Sequence, residues 1–213
     1  MIKNVIITSG PTIEPIDPVR FISNRSSGKT GFHIANEANA RGIENINFIT
    51  GPTSFIPEKV NVINVERAIE MREEVLKLYG DADVLIMAAA VSDYSSAKYY
   101  SEKLKKEQNK FNLKLVKNPD ILLELGEKKE DQLLVGFAVE TENIFENAQG
   151  KLVRKNLDLI VLNEVSEKNR AFDVDENQVY FITGKEMKKF EKMTKREIAV
   201  KLWDEIERLA ANR

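Results

Sequence analysis

Short, almost wholly apolar runs recur along the chain, separated by stretches of helical periodicity. NVIIT (apolar from Val5 to Thr8), NINFIT, VNVINV, the run from Ala82 to Ala90, LLVGFAVET and LDLIVLNEV are the runs. Between them, helical spacing appears from about Gly28 to Arg41, from Glu66 to Tyr79, from Pro119 onward, and from Ile144 to Lys155. A strand that is apolar on both sides belongs in a parallel sheet covered on both faces. Strand alternating with helix therefore predicts an α/β, Rossmann-like three-layer fold with a mostly parallel sheet. Such a fold brings the strand ends at Gly10, Gly51 and Ala90 to one edge, where ligands bind.

Toward the C-terminus, NQVYFIT and EMKKFEKM, joined by Thr183-Gly184-Lys185, predict a terminal hairpin over about 177–192 as an extension of that core. Thr194 to Ala211 reads as an amphipathic helix with a Thr194–Glu197 capping box. No internal repeat and no clear linker interrupts the 213 residues, so one domain over 1–213 is expected.

Composition removes several chemistries. Charge is abundant but nearly balanced, at a formal −2, which disfavours non-specific nucleic-acid binding. There is no cysteine, hence no disulfide, thiolate nucleophile or thiolate metal site. The single histidine, His33, falls inside a predicted helix, so a Ser-His-Asp triad or a histidine-rich zinc site is not expected. The run Val84 to Val91 is far short of the ~20 residues that a membrane helix requires. The opening MIKNVIITSG lacks the pattern of a signal peptide. A soluble, cytoplasmic protein with no membrane partner is expected.

Gly28-Lys29-Thr30 spells the end of a phosphate-binding P-loop, but that loop needs a glycine five residues earlier, and Ser23 stands there. A long loop also separates these residues from the nearest strand. What remains is Ser26-Ser27-Gly28 before a helix, which either supplies N-cap hydroxyls or holds an anion.

Four clusters are candidates for chemistry. The loop from Gly10 to Asn24 carries Glu14, Asp17 and Arg20 and has no G-x-G-x-x-G fingerprint. Ala88-Ala89-Ala90 followed by Asp93 ends a buried strand, where small residues allow either tight packing or close approach of a ligand. Lys103, Lys105 and Lys106 lie in a lysine-rich loop of about 95–111, either a solvated face or a cover for polyphosphate. Lys151 and Lys155, four apart, share one helix face and are either surface lysines or holders of two phosphates. Asn118-Pro119-Asp120 and Gly136-Phe137 sit at predicted turns, with Pro119 opening a helix and Asp120 favouring its dipole. Together these point to a polyanionic ligand such as a nucleoside triphosphate.

The stretches GPTIEPIDPVRFISNRSSGKTGF, AAAVSDY, EKLKK, VKNPDIL, VGFAVET and KLVRKNLDLIVLNEV, in that order from Gly10 to Val165, resemble the phosphopantothenate–cysteine ligase family of coenzyme A biosynthesis. The resemblance implies that 4′-phosphopantothenate is activated by a nucleotide, CTP in most bacteria, as an acyl-nucleotidylate with release of pyrophosphate. The amine of L-cysteine then displaces the nucleoside monophosphate. Magnesium accompanies the nucleotide in this family, whose members are homodimers with shared sites.

By the same resemblance, Asn24 hydrogen-bonds the intermediate and Arg20 reaches substrate from the neighbouring subunit. Gly10, Ser26, Ser27 and Gly28 face the substrate's anionic groups, and Lys103 stabilises phosphate charge. Ala88, Ala89, Asp93, Pro119, Asp120, Ile121, Leu122, Phe137, Lys151 and Lys155 form the nucleotide site. Many family members are fused to an N-terminal flavin-dependent decarboxylase. This chain starts at the ligase's first strand, so ligation without decarboxylation, no flavin and a separate decarboxylase are expected. Two other readings of the fold are an NAD(P)-binding oxidoreductase, which would lack its glycine fingerprint, and a non-catalytic nucleotide-binding module.

Overall fold

The computed structural model describes residues 2–105, 111–140, 144–164 and 175–213. Lys106 of the lysine run, the remainder of that run to residue 110, Thr141 and Val165 lie outside the described residues. The elements in chain order are β1 (Asn4–Ser9), β2 (Ile13–Pro15), β3 (Phe21–Ser23), α1 (Lys29–Ala40), β4 (Asn45–Thr50), β5 (Asn61–Asn64), α2 (Ala68–Tyr79), β6 (Val84–Met87) and β7 (Tyr94–Ser96). They continue with β8 (Leu115–Lys117), α3 (Ile121–Glu127), β9 (Leu133–Glu140), α4 (Ile144–Arg154), β10 (Leu159–Glu164), β11 (Glu176–Ile182), β12 (Met187–Thr194) and α5 (Lys195–Ala211).

The sheet order is β12-β11-β10-β9-β6-β1-β4-β5. Pairing is parallel from β5 to β10, and the β11–β12 hairpin adds two antiparallel strands at one edge. The chain builds outward from β1 to β4 and β5, then returns to place β6, β9 and β10 on the other side. The reversal between β1 and β6 is where a doubly wound sheet opens a crevice for ligands.

Alternation along β1 shows how the runs are used. Val5 and Ile7 face α1 and α5, in a layer with Phe48, Ile86, Val135, Val161, Ile34, Leu202 and Trp203. Ile6 faces α2, α3 and α4, with Ile49, Leu85, Leu134, Met71, Val75 and Leu125. Each such fully buried side chain contributes roughly 1.5–3 kcal/mol of transfer free energy. The indole Nε1 of Trp203 donates to the Ile34 carbonyl at 2.9 Å, locking α5 against α1.

Several elements differ from the sequence-based expectation. The loop after β1 contains a two-stranded ribbon, β2–β3, and Tyr94–Ser96 pairs with Leu115–Lys117 as a second ribbon outside the main sheet. These strands are three residues long, too short for a period-2 pattern to show. Ser26 and Ser27 do not cap α1. Its N-cap is Gly28, at φ 80°, with no side-chain cap. Pro119 does not open α3 either. It precedes Asp120, which is the N-cap and accepts from the Leu123 amide at 3.2 Å. The capping box at Thr194 and Glu197 is present.

Two flagged acids are structural. The buried Glu14 accepts from the Ala68 amide at 2.8 Å, tying the β2–β3 ribbon to the start of α2. Asp17 closes the ribbon's turn, accepting from the amides of Val19 and Arg20 at 2.8 Å each. Among the described residues, no helix is long and apolar enough to cross a membrane.

Candidate active site

The ends of β1, β4 and β6 converge as the alternation requires. Gly51 donates to the Ser9 carbonyl at 3.1 Å, Ala90 donates to Gly10 at 2.9 Å, and Thr12 donates back to Ala90 at 3.3 Å. Gly51 makes this crossing possible, since a Cβ there would lie 1.7 Å from the Pro11 carbonyl oxygen. Gly10 is buried in this crossing and does not line the cleft above it.

That cleft has a volume of about 460 Å³ and lies at the carboxyl ends of the strands. Its first wall is the approach to α1, Ser26 to Gly31, held by three bonds. Ser9 Oγ donates to the Gly28 carbonyl at 3.0 Å, Thr53 Oγ1 to the Ser27 carbonyl at 2.6 Å, and the Gly28 amide to Ser26 Oγ at 3.4 Å. The left-handed backbone at Gly28 excludes a side chain, because a Cβ would meet Thr53 Oγ1 at 2.8 Å. The floor is Ala88 to Val91, the far wall includes Phe137, Lys151 and Asn163, and Lys195 lines the cleft at the α1 end.

Asn24 bridges wall and floor. Its side-chain nitrogen donates to the carbonyls of Ala90 and Val91 at 3.2 and 3.0 Å. A second cavity of about 210 Å³ adjoins the first, and both are lined by Ala89, Val91, Asp93, Phe137 and Lys151. Pro119, Asp120, Ile121, Leu122 and Lys155 complete the second cavity. Lys155 Nζ lies 2.8 Å from Asp120 Oδ1. Burial works to raise the Asp120 carboxyl, but the hydrogen bond and charge of Lys155, the Leu123 amide and Arg154 outweigh it and hold it below its ordinary value.

Cations crowd the α1 end. Burial first, then the charges of Arg196, Lys195 and Lys29, push the His33 imidazole below its ordinary value. Lys29 pairs with Asp175 at 2.6 Å. The arrangement suits a ligand with anionic groups at both ends: α1 with Lys29 and Lys195 at one, Lys151 and Lys155 at the other. Among the described residues, no cluster of three or more acids and histidines could hold a metal ion by itself.

Besides Gly10, two expected residues lie elsewhere in the chain's own fold. Arg20 does not line the cleft; its guanidinium meets Asp17 Oδ2 through Nε at 2.9 Å and through a terminal nitrogen at 2.5 Å. Lys103 lines a separate surface depression formed by residues 98–105. Sequence reasoning missed Asn163, whose Oδ1 is buried and without a hydrogen-bond partner although the residue lines the cleft. The signal was an amide ending the apolar run LIVLN, at the strand end where a ligand binds. Lys195 was also missed. Lys195 is carried by the capped start of α5, far in sequence from every other cleft residue.

The model of the DNA/pantothenate metabolism flavoprotein C-terminal domain family matches residues 1–209. The Coenzyme A biosynthesis bifunctional protein CoaBC of Bacillus subtilis (strain 168) is 42% identical over 211 residues, 98% of this chain and 52% of its own. A protein named cysteine/cysteine sulfinic acid decarboxylase, from an unknown prokaryotic organism, is 43% identical over 201 residues, 92% of this chain and 56% of its own. The chain thus spans about half the length of the curated relatives it matches. The crystal structure of the C-terminal domain of CoaBC superposes with a TM-score of 0.84 at 37% identity, covering 99% of this chain and 97% of that one.

Proposed function

Because the chain belongs to the DNA/pantothenate metabolism flavoprotein C-terminal domain family, we propose that it is a cytoplasmic phosphopantothenate–cysteine ligase of coenzyme A biosynthesis. The carrying observation is that Asn24, Ser26 to Gly28, Ala88, Ala89, Asp93, Phe137 and Lys151 line one cleft, although the sequence scatters them. The adjoining cavity, with Asp120 to Leu122 and Lys155, takes the nucleotide, for which CTP is our choice.

In this reading the wall before α1 binds the substrate's phosphate through Ser26, Ser27 and the Gly28 backbone. The small Ala88 and Ala89 let the reacting carboxylate and the nucleotide's α-phosphate meet over the strand end. The carboxylate attacks that phosphate, pyrophosphate leaves, and the cysteine amine then displaces the nucleoside monophosphate from the acyl carbon. Both steps concentrate negative charge on phosphate oxygens, so oriented amides and lysines lower the barrier. Asn24, whose side-chain nitrogen donates to the Ala90 and Val91 carbonyls before ligand binds, becomes such a donor by giving up one of them to the intermediate, and the Asn163 carboxamide oxygen is left to accept from a ligand N–H or O–H. Magnesium carried by the nucleotide would supply neutralisation of phosphate charge.

The site is completed by a second copy. Arg20 and Lys103 lie outside the cleft, and the two ribbons beside them expose Val19, Phe21, Tyr94, Leu115 and Val116. We assign these ribbons to the homodimer contact. The test is pyrophosphate release by the purified protein with 4′-phosphopantothenate and magnesium, comparing CTP with ATP, before and after L-cysteine. Release with CTP, followed by CMP and the cysteine adduct, is expected. Release with ATP alone would overturn the nucleotide assignment, and silence with both would overturn the ligase.

A further inference from the structure

Asp17, in the turn of the β2–β3 ribbon, is a buried acid whose side chain has no exposed surface. Its two oxygens do different work. Oδ1 accepts from the amides of Val19 and Arg20, both at 2.8 Å, and so makes the local turn of the β2–β3 ribbon. Oδ2 accepts from Arg20 and, at 3.2 Å, from the amide of Leu104, which is 87 residues away in sequence. Arg20 closes the circuit by donating to the Leu104 carbonyl at 2.8 Å. Both backbone polar groups of one residue in the lysine-rich stretch are therefore held by one ion pair. Nearby, the Tyr100 amide donates to the Ile16 carbonyl at 2.9 Å, a second tie between the same two segments.

We propose that Asp17 is a positioning residue for Lys103: through Oδ2 it anchors Leu104 and thereby fixes where the flanking Lys103 and Lys105 present their charges. The inference rests on the ligase reading only for what those lysines act on. An unneutralised carboxylate beside lysines that meet phosphate would oppose them. Here burial works to raise the acid, while Arg20 and the amides of Val19, Arg20 and Leu104 outweigh burial and keep the carboxyl well below its ordinary value. The pair is a neutral strut with a directional grip, and its fixed charge stays bound to Arg20. Arg20 remains partly exposed, so losing its partner returns it to water instead of stranding a buried cation.

The division of labour between the oxygens supplies the test. Asp17→Asn keeps an acceptor at Oδ1 and replaces Oδ2 with an N–H donor that faces two donors. The turn is kept and the grip on Leu104 is lost. Tryptic cleavage after Lys105 in the ligand-free dimer is expected to quicken about tenfold, with the melting temperature within a few degrees of the parent. In steady-state ligation, kcat is expected to fall toward that of Lys103→Gln, and the double variant to be no slower than Lys103→Gln alone.

Leu104→Pro removes the donated amide from the other side without touching the ribbon, and is expected to quicken the same cleavage if Asp17→Asn does not fold. Unchanged cleavage in a folded variant, or rate losses that multiply in the double variant, would overturn the proposal. Cleavage is read without substrate, so a wild-type protein that fails to ligate would sink the ligase reading and leave the anchoring role still decided by the protease.

Discussion

The ammonium of Lys155 lies 2.8 Å from the carboxylate of Asp120, and both line the smaller cavity. Asp120 is at once the N-cap of α3 and the group that aims Lys155. In the ligase reading that lysine meets nucleotide phosphate. Lys155→Gln is expected to raise the nucleotide KM about tenfold with kcat changed much less, as for the loss of a charged hydrogen bond in binding. Steady-state kinetics with varied CTP decides it: an unchanged KM would leave Lys155 as a structural partner of Asp120 only.

The same pair makes a statement about acid stability. The folded Asp120 carboxyl lies below its ordinary value of 3.8. Its contribution is fully present above that value and is lost as pH falls through the lower folded value. Asp120→Asn is therefore expected to destabilise the protein at neutral pH, with the gap to the parent closing in acid. Urea midpoints measured across that range check the sign, and a gap that widens in acid would contradict it.

Asn24→Asp tests the cleft's central donor. An aspartate cannot donate to the Ala90 and Val91 carbonyls, and it adds negative charge where phosphate charge gathers. Loss of one oriented donor commonly costs on the order of 100-fold in rate. A loss of that size in ligation is expected, with folding intact by circular dichroism. Near-parental turnover in a folded variant would remove Asn24 from the chemistry.

Gly51→Ala should fail for a purely steric reason. The new Cβ would sit 1.7 Å from the Pro11 oxygen, a backbone atom that cannot swing aside, and Gly51 also donates to Ser9. Overpacking against a backbone is expected to cost about 3 kcal/mol or more. Thermal melts would show it, and a shift of only a degree or two would mean the strand ends can part.

How far the sequence carried is clear from particular residues. The runs around Ile6, Leu85 and Leu134 are apolar on both sides, which only a sheet covered twice can accommodate, so the layers and the crossing at Gly10, Gly51 and Ala90 were legible. Asp93, Phe137 and Lys151 were recognised from motif, and the fold brings them to one cleft. The β2–β3 ribbon and β7 were not legible, because Ile13–Pro15 and Tyr94–Ser96 are defined by tertiary pairing and not by any pattern of their own. Nor was the capping at α1, where the sequence offers the hydroxyls of Ser26 and Ser27 but the left-handed backbone at the cap position is taken by Gly28, with no side-chain cap. Asn163 and Lys195 enter the cleft from β10 and α5, whose distance in sequence hides them until the sheet order is known.

The placement of Arg20 and Lys103 outside the cleft leads to the last prediction. If Arg20 acts in the partner's site, Arg20→Gln and Asn24→Asp proteins, each inactive, should restore one another when mixed and allowed to exchange subunits. In the mixed dimer, one site joins the intact Asn24 of the first variant to the intact Arg20 of the second, and the other site carries both defects. Random exchange makes about half the dimers mixed, so about a quarter of the parental activity is expected. A site built wholly within one chain gives no rescue, because each site of the mixed dimer then keeps one defect. Activity measured before and after exchange therefore separates the two arrangements, and a mixture as inactive as its parts would rule out the shared site.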